Sequence, residues 1–132
     1  MNGLRVTTGN EVSVVDLSGQ DYLYKRIAAQ INKCSHIEIV RPRRLKHPIV
    51  MVVDEEGLLK DNEYNLVGSV LYQTDLHGSP IAGDVIFMRE EYGPDGMDLF
   101  GLTEHDISCV TDMANHIISS YKLAGFPTGG TQ

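Results

Sequence analysis

The 132 residues are 42% hydrophobic and 22% charged, enough for one hydrophobic core and too few for two. No segment approaches the roughly 18 consecutive apolar residues of a membrane helix, and the two cysteines, Cys34 and Cys109, exclude a disulfide-built scaffold and read as free thiols. The net charge of −7 is split: residues 1–50 carry eight Lys/Arg against four Asp/Glu, and residues 51–132 carry three against fourteen. An acidic body of this kind argues against general nucleic-acid binding, while the basic first half suits an anion or an acidic partner.

Met1 to Val6 enters strand-like sequence directly, without an apolar signal region, so residence in the cytoplasm is expected. Leu4 and Val6 alternate with polar residues, Gly9 and Asn10 supply a turn, and Val12, Val14, Val15 and Leu17 predict the returning strand of a hairpin. Ser18 followed by Asp21 has the form of a capping signal, and Leu23, Ile27 and Ile31 at four-residue spacing predict a first helix over 21–33. Residues 36–41 alternate as a strand, and the β-branched run 48–54 has the pattern of a buried central strand. Asp54 to Gly57 is a turn, after which Leu66, Val67, Val70 and Leu71 predict a short helix despite Gly68. Ile81 to Met88 predicts a further strand, and Tyr92 to Gly96 a loop.

The last element is the clearest. Thr103 with Asp106 opens a helix whose Ile107, Val110, Ala114, Ile117, Ile118 and Tyr121 share one face, and Gly125 and Pro127 stop it. The chain therefore divides into a single domain over 1–124 and a flexible tail over 125–132. The expected fold class is α+β, a mostly antiparallel sheet of about five strands with two main helices covering one face.

Between the strands at 36–41 and 48–54 lies the loop Arg41, Pro42, Arg43, Arg44, Leu45, Lys46, His47. Arg forks suit bidentate capture of phosphate or carboxylate, so Arg41, Arg43, Arg44, Lys46 and His47 form the candidate anion-binding site. The bland alternative is an exposed connection whose charge offsets an acidic chain. On the last helix, His105, Cys109, Asp112 and His116 make a stripe of metal-ligating types. It is about 16 Å long, whereas one ion needs ligands within about 2.3 Å, so no metal site is assigned there. Asp54, Glu55 and Glu56 follow one strand and Glu90 and Glu91 another; converging at one sheet end they would suit a divalent ion, and otherwise they are solvated turn residues. No Gly-x-Ser-x-Gly elbow, dinucleotide fingerprint or P-loop occurs, so no catalytic residue and no cofactor is expected.

Residues 31–40, then 51–58, Asn65, 81–86 and 100–106 together resemble domain-of-unknown-function family 3846, over roughly residues 31–110. The resemblance implies a phage or mobile-element origin and a bacterial cytoplasm, and it implies no chemistry. The residues it matches, Glu55, Gly57, Asn65, Gly83 and Asp84, suit turns and local backbone hydrogen bonds. The long basic loop and the segment 92–96 depart from the family pattern. The expected function is that of a non-enzymatic accessory protein acting by binding, with inhibition of a host protein, such as a defence component, ahead of a housekeeping role. The alternative is a module that holds an anionic nucleotide or signalling molecule in the basic loop, with a homo-oligomer interface as one setting. A metal-assisted hydrolase using the acidic turns comes third.

Overall fold

The structure is a computed structural model and describes residues 1–60, 62–72 and 79–123. Its strands are β1 (Asn2–Val6), β2 (Val12–Asp16), β3 (Ile37–Val40), β4 (Ile49–Asp54), β5 (Val85–Gly93) and β6 (Gly96–Phe100), and its helices are α1 (Leu23–Gln30), α2 (Leu66–Tyr72) and α3 (Glu104–Leu123). The strand order is β2-β1-β5-β4-β3, every pairing is antiparallel, and β6 also pairs with β5. Residues 85–87 of β5 pair with β1 and residues 89–93 with β6, so β1 and β6 lie end to end along one side of the long central strand. The amide of Leu102 donates to the Asn2 carbonyl at 2.7 Å and closes that junction.

Alternation along β4 and β5 divides the core. Met51, Val53, Val85 and Phe87 face one cluster, with Val67 and Leu71 of α2 and Val110, Ala114 and Ile117 of α3. Val50, Val52, Ile86 and Met88 face the other, with Ile27 and Ile31 from the α1 region. A strand run that is apolar at every position must be covered on both sides, and β4 is. Burying a side chain the size of Phe87 stabilises the fold by about 3 kcal/mol before the cost of ordering it.

The α+β class and the antiparallel sheet of about five strands stand. The two main helices do not share a face: α1 covers one side and α3, with α2, covers the other. An apolar stripe shows that a helix packs on a sheet but carries no information on which side. The strand expected to end at Met88 continues to Gly93, and the expected loop at 92–96 is the turn of a hairpin into β6. The first helix is shorter than expected, and Ser18 does not cap it: its amide binds Asp16 Oδ1 at 2.9 Å, while Tyr22 sits at the cap with no side-chain hydrogen bond. On α3 the cap is reciprocal, Thr103 N to Asp106 Oδ2 at 2.9 Å and Asp106 N to Thr103 Oγ1 at 3.0 Å. The expected tail at 125–132 lies outside the described residues.

Candidate functional site

The loop from Arg41 to His47 joins β3 to β4 and is held at both ends and in the middle. Pro42 and Leu45 are buried, and two turns close it, Leu45 N to Pro42 O at 3.1 Å and Ile49 N to Lys46 O at 3.0 Å. The His47–Pro48 peptide is cis. With its apolar residues turned inward, the loop presents Arg43, Arg44, Lys46 and His47 to solvent.

Arg41 behaves differently from its neighbours. Its Nε donates to Glu90 Oε1 at 2.7 Å and its Nη2 to Glu90 Oε2 at 2.5 Å, a two-pronged pair between a side chain 61% exposed and one only 4% exposed. Hydrogen bonding by the Arg41 guanidinium holds the Glu90 carboxyl below its usual range, against the upward push of burial, and His47 adds to the effect. Arg41 therefore belongs to the anchor of the loop, not to its free charge. Arg43, Arg44 and Lys46 form no ion pair among the described residues. The alternation of β5 puts Glu90 on the same side as Ile86 and Met88, beside Leu99 of its partner strand. That parity was the available clue to Glu90, concealed in the sequence by the apparent end of the strand at Met88.

The acidic groups do not converge. Asp54 closes β4, whereas Glu90 lies beside Pro48, just before β4 begins, so the two carboxylates sit at opposite ends of that strand. Asp54 is spent locally, accepting from Glu56 N and Lys60 Nζ, both at 2.9 Å. On α3, Cys109 Sγ and His105 Nε2 touch at 3.4 Å, both exposed. Among the described residues no three His, Cys, Asp or Glu side chains gather around a point where one ion would reach them.

Two of the grooves bordered by described residues lie elsewhere. A groove of about 790 Å³ runs between α1 and the start of β3, bordered by Tyr24, Lys25, Ala28, Lys33, His36 and Ile37. A smaller one of about 280 Å³ lies by Glu38, Gly57 and Leu59. Neither is lined by a residue of 41–47. Cys34, at the floor of the larger groove, has its thiol pushed up by burial and by Asp54, which keeps it a poor nucleophile. Sequence reasoning missed this groove, since its residues come from a helix and a strand start with no shared motif.

The residues matched by the resemblance knit one end of the sheet. Asn65 is wholly buried: its Nδ2 donates to Val6 O at 2.9 Å and Gly83 O at 3.0 Å, and its Oδ1 accepts from Gly68 N at 2.9 Å, capping α2. Asp84 Oδ1 accepts from Thr8 N at 3.1 Å. Gly57 is needed less for a turn than for space, because a Cβ there would sit 2.5 Å from the Ala82 carbonyl oxygen. Glu55 is exposed, and its amide donates to His36 O.

Among the described residues no helix is long and apolar enough to cross a membrane. No curated protein and no solved structure matches the chain. The model of the family described as Domain of unknown function (DUF3846) matches residues 1–115, taking in the opening hairpin and α1 as well as the segments that carried the resemblance, and the chain belongs to that family.

Proposed function

We propose that this protein acts by binding rather than by catalysis, and that the 41–47 loop is the surface through which it docks an acidic partner protein. The observation that supports the reading is the division of labour within the loop. Arg41, Pro42 and Leu45 fix it to the sheet, and Arg43, Arg44 and Lys46 are left exposed, without an in-chain counter-charge among the described residues. A loop already ordered pays little entropy on binding, and its unpaired cations steer an acidic partner from a distance.

A small-anion clamp is the less supported reading, because Arg41 is committed to Glu90 and the loop lines neither cavity. The phage or mobile-element origin expected from the resemblance directs the search for the partner to proteins of a bacterial host, defence components first. The test is affinity capture from bacterial lysate with the wild-type chain and an R43E/R44E variant, followed by mass spectrometry. A protein retained by the first and lost by the second is the expected result. No specific protein across several hosts, together with a rise in melting temperature on adding a nucleotide, would replace this reading with the small-anion one.

A further inference from the structure

Strand β3 is one edge of the sheet. The amide of Glu55 donates to the His36 carbonyl at 3.1 Å, which makes His36 and Glu55 a hydrogen-bonded pair. With Ile37 opposite Asp54 and Ile39 opposite Val52, the alternation of an antiparallel ladder turns the N–H and C=O of Ile37 and Ile39 away from β4. Nothing among the described residues meets them. The edge has no proline, and its single charge, Glu38, projects on the side opposite Ile37 and Ile39.

Two features flank this edge, one at each end. At its start lies the 790 Å³ groove, with Tyr24, Ala28 and Ile37 as its apolar surfaces. The groove's charges offset one another, Lys25 and Lys33 against Asp21 and Glu55. At the other end of β3, about 13 Å away along four strand residues, begins the positive charge of Arg43, Arg44 and Lys46, unpaired among the described residues. An apolar anchor fits the first end and carboxylates fit the second.

We infer that β3 receives an extended segment of the partner as an added strand, with an apolar or aromatic side chain seated against α1 and acidic residues about four positions away on the loop. The inference rests on the loop being a docking surface and adds the mode of docking: main-chain hydrogen bonds to Ile37 and Ile39 supply affinity, and the two flanking sites supply selectivity.

The probes are two synthetic ten-residue peptides that alternate valine and threonine, one with phenylalanine near its N-terminus and three glutamates at its C-terminus, the other reversed. Fluorescence anisotropy reads binding, and amide exchange reads Ile37 and Ile39. One order is expected to bind and to slow exchange at both amides. N-methylation of the alternate peptide amides that face β3 is expected to weaken binding about tenfold or more, while methylation of the other set changes little. R43E/R44E is expected to weaken the same peptide. Binding that is lost in R43E/R44E but indifferent to both methylation patterns overturns strand addition and leaves the docking loop standing. Binding indifferent to R43E/R44E overturns the loop reading itself. No binding of either peptide, or concentration-dependent dimers that protect Ile37 and Ile39 without peptide, also overturns the inference, the latter in favour of a second copy on this edge.

Discussion

The two faces of the sheet are covered to very different extents. On one, the 20-residue α3 and the shorter α2 pack over Leu4, Met51, Val53 and Phe87, and the polar residues at the seams are tied: Asn65 to three backbone groups, Asp106 to Thr103 and Arg89. On the other, the eight-residue α1 leaves a groove beside it and an edge strand beyond it; the basic loop leaves the end of that strand, with its buried Leu45 in the first cluster. The first face holds the larger cluster of buried side chains, and on the proposed reading the second serves binding. Substitutions should separate the two roles.

The largest effect is expected at Asn65. Asn65→Ala removes a cap and strands the carbonyls of Val6 and Gly83 in the interior, a loss of about 3 kcal/mol in urea unfolding. Gly57→Ala should approach it, since the clash is with backbone rather than with a side chain that can move aside. A small effect at both positions would break the expectation that the well-covered face dominates stability.

Arg41→Ala should cost less, about 2 kcal/mol, because one partner of the pair is largely exposed and water can replace it. The pair also gives the fold a direction of pH dependence. Glu90 and Asp106 both have carboxyl groups held below their ordinary values, Glu90 by Arg41, and Asp106 by Thr103 and Arg89, which together outweigh burial. Groups depressed in the folded state stabilise it above the unfolded carboxylate range and lose that contribution as pH falls through their folded values. Melting temperature should therefore drop on acidification below about pH 4.5. Glu90→Gln should flatten that drop at the cost of stability at neutral pH. A variant whose acid profile matches the wild type would show that Glu90 is not part of it.

Smaller still is the cap of α3, where Thr103→Ala should remove about 1 kcal/mol, read by the same unfolding measurement. Least of all, R43E/R44E should move unfolding by no more than about 0.5 kcal/mol while abolishing capture of an acidic partner. That pairing of unchanged stability with lost binding sharpens the comparison most. A large destabilisation by R43E/R44E would place the loop with the scaffold instead.

Where the sequence is legible, a single element carries the signal. The run at 49–53 identifies a central strand because five successive residues are apolar, and Thr103 with Asp106 marks a helix start that the reciprocal hydrogen bonds reproduce. Relations between distant elements are not legible. Nothing in residues 41–47 distinguishes Arg41 from Arg43; the distinction is made by Glu90, 49 positions on, whose parity depends on β5 continuing through three charged residues. The β5–β6 hairpin was hidden because Gly93, Pro94, Asp95 and Gly96 look alike in a long loop and in a tight turn. The groove beside α1 depends on which face that helix occupies, which its own stripe does not encode.

Arg89 and Glu90 are consecutive, and their side chains leave β5 on opposite sides, one toward α3 through Asp106 and the other toward the basic loop through Arg41. The N-terminal cap of the long helix and the root of the basic loop thus hang from a single peptide plane. Any tilt of that plane is shared by both ion pairs, so substitutions at the two should combine non-additively in a double-mutant cycle although they lie on different faces. A partner seated on the loop would be felt at the far side of the sheet by the shortest route a strand provides.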